Sequence, residues 1–322
     1  MHSPSRGNLF MLGLIVGGTL ASIGVFYALS AAQIFLGIII PLTVLQFSAQ
    51  VTGIFLPCVI YALITKQRLA DFFAMRRISG ANITLVLLMT FMLLPAAMWL
   101  GAFSSLFTEP GLLGFFAQMY DQPFWVIVAV MCAAPAVFEE MALRGVVMRE
   151  YRHVSLRKMA LMNGLLFALM HLSLEQFLYA FLLGAVFACF VYYTESVWSA
   201  VLSHFTFNFI NTAAAYSAFH SAVAGGETVE DFIQRPDRRE QVFNLMAALP
   251  VTAFCAAVFC VLFMSFVAYN KRRRLRAALA GTLMHSIFEK PPTVEMPQKD
   301  VRVLTWAFWV LAACYVAVVV FI

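Results

Sequence analysis

Charged side chains are scarce in this sequence: 11% of its 322 residues are Asp, Glu, Lys or Arg, against 62% hydrophobic. So few polar groups cannot cover a soluble globule of this size, and the solvent for most of the chain is lipid. The short alternating segments of a transmembrane barrel are also missing. The apolar runs are continuous and reach the about 20 residues a helix needs to cross a hydrocarbon core about 30 Å thick. The six cysteines (Cys58, Cys132, Cys189, Cys255, Cys260, Cys314) all lie in apolar runs and form no C-x-x-C pair, so neither disulfides nor a thiolate metal site is indicated. The net charge of +5 is spread over short clusters between apolar runs, such as Lys271 to Arg276. That pattern reads as loop anchoring at a membrane face and not as nucleic-acid binding.

The expectation is an all-α, polytopic helix bundle with about nine spans: 9–30, 34–65 (interrupted by Pro41 and Pro57), 83–107, 122–148, 157–173, 175–193, 197–219, 243–269 and 303–322. The run "ALSAAQ" after the first span resembles a leader-cleavage site, but the basic region before it is only Arg6, so an uncleaved span is expected. Three basic loops (Lys66 to Arg77, Arg149 to Lys158, Lys271 to Arg276) fall on one side of such a bundle. The positive-inside rule then makes the protein multi-pass in the cell membrane, with its amino terminus cytoplasmic and its carboxyl terminus outside. Residues 66–77 alternate basic and apolar side chains as an interfacial amphipathic helix does, with a solvated connector as the other reading. Residues 286–300 read as a loop.

The strongly polar side chains left inside the apolar runs concentrate in spans four to seven. They form three groups: Glu139, Glu140 and Arg144; Phe167 and His171; His204 and Asn208. Each group contains a pair four apart, which shares one helical face. If the turn after the fourth span lies near Val154, Glu140 and His171 stand about 21 and 25 Å from it along their helices, close enough in depth to face each other. His204 reaches the same level if that hairpin protrudes about two turns, which puts the cluster about 10 Å below the cytoplasmic surface. A charge at such depth costs at least about 2.5 kcal/mol and persists when paired or used. Glu140 and Arg144 pair in the favoured order, acid before base, and read first as a structural ion pair. Glu139, about 100° round the helix, is left without that partner, the position wanted in a general base that takes and returns a proton. Asn208 alone would be interhelical glue, and Phe167 alone a core aromatic.

E-E-x-x-x-R, F-x-x-x-H and H-x-x-x-N, in this order on a polytopic chain, resemble the CPBP family of type II CAAX prenyl proteases and bacteriocin-processing or self-immunity proteins. The likeness covers roughly 122–219, leaving 1–121 as preceding helices with the interfacial segment and 220–322 as a loop and two further spans. It implies an intramembrane endopeptidase open to the cytoplasm, acting on a membrane-associated peptide or protein within the lipid bilayer. By the same resemblance Glu139 and His171 activate water, His204 and Asn208 stabilise the oxyanion, and Glu140, Arg144 and Phe167 support the site. The family's name also raises a metalloprotease with Zn2+, for which Glu139, His171 and His204 are the possible metal ligands. The other course is catalysis with no cofactor, which suits Asn208 better because Asn is an uncommon zinc ligand.

The chain has no H-E-x-x-H, no G-x-S-G and no G-x-G-D, which sets aside other intramembrane protease chemistries. A proton-coupled transporter remains as a rival, since buried carboxylates and histidines also build proton relays. Clustering of these groups at one end of the membrane, without broken helices in two matching halves, speaks against it. A non-catalytic CPBP-like binding protein is the third reading.

Overall fold

The structure, a computed structural model, describes residues 3–66, 68–108, 114, 117–234, 237–279 and 302–321. Among them there is no strand, and the chain is an all-α bundle. Eleven helices whose bounds are described follow in order: α1 (Pro4–Leu36), α2 (Leu42–Ile64), the single turn α3 (Leu69–Phe72), α4 (Gly80–Ser105), α5 (Phe124–Glu150), α6 (Leu156–Met170), α7 (Leu174–Thr194), α8 (Trp198–Ala224), the short α9 (Val229–Ile233), α10 (Arg238–Leu279) and α11 (Trp306–Phe321). Six of them, α1, α2, α4, α5, α7 and α10, are long and apolar enough to cross a membrane. The other three expected spans are helical too, but α6 and α11 are shorter, at 15 and 16 residues. The expected loop at 286–300 lies outside the described residues.

Helix boundaries follow local chemistry. Ser3 caps α1 by accepting from the Arg6 amide, Pro4 occupies the first turn, and Gly37 at φ 65° ends the helix. The break between the first two spans therefore falls at 37–41, later than expected. Pro57 does not interrupt α2, which passes it through a π turn at Val51–Phe55. A second π turn, Ala129–Ala133, stands just ahead of Pro135 in α5, and a third, Met141–Val147, carries Arg144. In the most apolar stretch of α5, 61% of residues are buried, against 6% for α10, so α5 runs through the centre and α10 along the periphery.

Glycine lets the central helices touch. A Cβ on Gly164 of α6 would lie 2.5 Å from the Phe181 carbonyl oxygen of α7, and one on Gly184 of α7 would lie 2.8 Å from the Gly164 Cα. Small residues at such crossings are what packing in lipid favours. Away from the centre, α10 is pinned to α4 by a reciprocal amide pair: Asn82 donates to Asn270 at 3.0 Å, and Asn270 donates back at 2.9 Å.

The basic loops share one face. Arg76 pairs with Glu195 at 2.9 Å, Arg274 reaches the same carboxylate at 3.3 Å, and Arg149 donates to the Asp71 and Phe72 carbonyls. The amide of Ser3 donates to Glu150 at 3.0 Å, and Asn8 donates to the Val303 carbonyl at 2.8 Å, so the start of α1 and the approach to α11 lie on this face too. One expectation needs correcting here. The 66–77 segment is not an amphipathic helix resting on the bilayer: only Leu69–Phe72 is helical, and Phe72, Phe73 and Ala74 are buried in the protein. Phe73 packs on Gly145, whose hydrogen occupies a position where a Cβ would stand 2.3 Å from the ring. The Val197 amide donates to the Ala74 carbonyl at 3.0 Å, so this segment ties α5 to the start of α8.

Candidate active site

Gly145 of α5 and Val197 of α8 are tied to neighbouring residues of one strap, Phe73 and Ala74, and so stand at similar depth. Counting along the helices, Glu140 lies five residues from Gly145, and His204 seven from Val197, about 8 and 10 Å respectively. The end of α5 protrudes past this level by the five residues to Glu150, about 8 Å, which is how unequal spacings in sequence bring the two side chains together. His204 Nδ1 meets Glu140 Oε1 at 2.9 Å, and the same oxygen accepts from Arg144 Nη1 at 3.0 Å. Arg144 is wholly buried; its Nη2 donates to the Gly184 carbonyl at 2.8 Å, and its guanidinium lies 5.2 and 5.5 Å from the ring centroids of Phe167 and Phe187. Both rings present π faces to the cation, which offsets part of its desolvation.

Hydrogen bonding orients both imidazoles. An ionised Glu140 only accepts, so His204 Nδ1 carries the proton and Nε2 points elsewhere, 3.9 Å from Glu139 Oε2 and beyond hydrogen-bond range. His171 Nδ1 lies 2.8 Å from the Phe167 carbonyl one turn back, again an acceptor only, so its Nε2 keeps a free lone pair when the ring is neutral. Phe167 stands edge-on to both rings, at 4.7 Å from His171 and 5.7 Å from His204. It therefore packs against the Arg144 cation and both imidazoles at once.

Glu139 is set apart from this network. Its side chain is 15% exposed, and its Oε2 is buried with no hydrogen-bond partner. It lines a cavity of about 590 Å³ together with His171, His204 and Asn208, while Glu140 and Arg144 lie outside the lining. The division between a paired and an unpaired glutamate, expected from helical geometry, is what the side chains display.

Asn208 donates from Nδ2 to the Met131 carbonyl at 3.2 Å, and Gln50 of α2 donates to the Val130 carbonyl at 3.1 Å. These two carbonyls precede Pro135 by four and five residues and face a position with no N–H to give, so side chains from two other helices satisfy them. The second Nδ2 hydrogen of Asn208 is not used in that bond. Gln50 was not singled out from sequence, although a glutamine four residues after Gln46 in an apolar run was a visible signal. Its Oε1 is buried, unpartnered and in the wall of the same cavity.

The proposed zinc ligands do not gather into a metal-holding group. Among the described residues no cluster of three or more His, Cys, Asp or Glu side chains has that geometry. Nδ1 of His204 is engaged by Glu140 and Nδ1 of His171 by its own helix, which leaves Nε2 of each ring free. No step below is routed through a metal.

Residues 121–210 match the family model described as type II CAAX prenyl endopeptidase Rce1-like. The matched segment runs from just before α5 into α8 and contains all seven motif residues, Glu139, Glu140, Arg144, Phe167, His171, His204 and Asn208. The family named by the match is the one the three motifs resemble, and it is a family of CAAX-type intramembrane proteases. Neither a curated protein nor a solved structure matches the chain.

Proposed function

We propose that the chain hydrolyses a peptide bond of a membrane-associated peptide or protein, with Glu139 as general base. The observation that carries this reading is the sorting of polar groups: Glu139, His171, His204 and Asn208 face one cavity, while the Glu140–Arg144 pair is buried beside it. Glu139 and the free Nε2 of His171 hold the water. Its oxygen bonds to the carbonyl carbon, its proton passes to Glu139, the carbon–nitrogen bond breaks, and Glu139 returns the proton to the departing amine.

The oxyanion is met by Asn208 through its second Nδ2 hydrogen and by His204. Because His204 Nδ1 already donates to Glu140, Nε2 donates to the oxyanion only when the ring is doubly protonated. Nothing in the cavity selects a prenyl group over another anchor, so the substrate class is a peptide held at the membrane, lipidated or not.

The test compares peptide termini in membranes from cells carrying the native chain or Glu139→Gln, with metal content measured on both purified proteins. Termini that vanish with Glu139→Gln support hydrolysis, and the metal content then decides between water activated by glutamate and by a bound metal. Unchanged termini with a folded variant sink the proposal and leave proton-coupled transport as the reading to test.

A further inference from the structure

The last turns of α10 carry Arg272, Arg273, Arg274 and Arg276, and the contacts of the fold account for one of them. Arg274 reaches Glu195 at 3.3 Å and donates to the Tyr192 carbonyl. Arg272, Arg273 and Arg276 are exposed, and no carboxylate among the described residues pairs with them. We propose that these three side chains bind the phosphate of an anionic phospholipid, in a cleft on the flank of α10 where the helix leaves the bilayer. The proposal stands apart from the hydrolytic reading and does not depend on it.

Ser265, Ala268, Tyr269, Arg272, Arg273 and Arg276 line a cleft of about 470 Å³. They recur at helical spacing, alternately three residues and one residue apart, and so form one stripe along α10. The stripe runs beside the face that Asn270 and Arg274 turn toward the protein. Its depth is fixed by neighbouring contacts. Asn270 pairs with Asn82 in the first turn of α4, and the Tyr269 hydroxyl lies 3.4 Å from Oγ of Ser79, the cap of that helix. Arg276 stands seven residues beyond Tyr269, about 10 Å further out. The stripe therefore passes from the edge of the hydrocarbon into the headgroup layer on the basic side, with a tyrosine at the boundary where that side chain is favoured.

Charge and shape choose the occupant. Arg272 and Arg276 are four apart on one face and repel each other unless an anion lies between them. Each guanidinium is a planar fork that matches two phosphate oxygens. By the positive-inside rule this side is the cytoplasmic leaflet, where anionic lipids supply such phosphates. A free phosphate needs the arginines alone, but the cleft continues inward past Tyr269 to Ala268 and Ser265. Beside that inner end Met264 and Val261 are 64% and 57% exposed, an apolar track for the acyl chains under the headgroup.

The experiment is native mass spectrometry of the full-length protein in a neutral detergent, titrated with phosphatidylglycerol, phosphatidylcholine or glycerol 3-phosphate. The first phosphatidylglycerol is expected to bind more tightly than phosphatidylcholine, to weaken as ammonium acetate is raised, and to exceed glycerol 3-phosphate by far. Arg272→Gln/Arg273→Gln/Arg276→Gln should weaken it by about 100-fold, which is about fivefold for each arginine. Arg68→Gln/Arg157→Gln/Lys158→Gln removes the same charge from exposed positions elsewhere on the basic side and should leave binding within about twofold of native. Equal binding of the two lipids, an equal loss in both triple variants, or glycerol 3-phosphate binding as tightly as the lipid overturns the proposal. If the first triple variant does not fold, Arg273→Gln is read against Lys158→Gln: a loss of about fivefold against none upholds the site, and equal values overturn it.

Discussion

Replacing Arg144 by methionine keeps a long, flexible, apolar stem and removes the cation. In the native protein the guanidinium makes a 3.0 Å bond to Glu140 and a 2.8 Å bond to the Gly184 carbonyl, and it faces Phe167 and Phe187. Methionine fills much of the volume between the two rings, so packing loss is modest. The large effect falls on Glu140, fully buried and left with His204 alone. Breaking a buried pair in this way costs about 3–5 kcal/mol, because the remaining charge is uncompensated. Glu140→Gln/Arg144→Met removes both charges and keeps an acceptor for His204 Nδ1, so the double variant should lose about 1–2 kcal/mol, less than Arg144→Met alone. Unfolding of the purified proteins in mixed micelles, titrated with denaturant and followed by tryptophan fluorescence, gives the three differences from wild type. Single-variant losses that simply add in the double variant, to within about 0.5 kcal/mol, would refute the claim that these side chains stabilise each other.

The remaining expectations concern chemistry and packing separately. Glu139→Gln should lower cleavage by about 10²- to 10⁴-fold while leaving the unfolding midpoint near wild type, because Glu139 Oε2 has no hydrogen bond to lose. Asn208→Ala should lower the turnover of the same substrate by about 10²- to 10³-fold, the size of a lost oxyanion donor. It should change KM little. Gly164→Ala drives a methyl to 2.5 Å from a backbone oxygen that cannot swing aside, and should destabilise by about 1–3 kcal/mol in the same unfolding titration. Gln50→Leu strands the Val130 carbonyl and should cost about 1–3 kcal/mol, with Gln50→Glu no better, since a carboxylate cannot donate there.

The polar site was legible in sequence because lipid leaves few reasons for a charge to be present. Glu139, Glu140, Arg144, His171, His204 and Asn208 stood out against apolar runs, and pairs four apart announced which faces they shared. The Glu140–Arg144 bond followed from that spacing alone, being local. Gln50 did not, because the carbonyl it serves is freed by a proline in a different helix, and no pattern within α2 records that. The 66–77 segment was misread for a related reason. Alternating basic and apolar residues suit a bilayer surface and a groove in the protein equally, and only Gly145, some seventy positions on, makes room for Phe73. The π turns were hidden because a proline states that one hydrogen bond is missing without saying whether the helix bends or takes in an extra residue.

A π turn holds one residue more than the α turn it replaces, so everything after it is rotated about the axis by the angle of a single residue, about 100°. In α5 the turn at Ala129–Ala133 lies upstream of Glu139 and Glu140, two adjacent residues that differ by that same angle. Winding that turn as regular α-helix with every residue kept would rotate the rest of α5 by about that angle and carry Glu139 off the cavity toward the direction Glu140 now takes, without altering either side chain. Which glutamate faces the cavity and which anchors the arginine is in this sense a matter of phase, set two turns away by a stretch of alanine, valine, methionine and cysteine that carries no chemistry of its own.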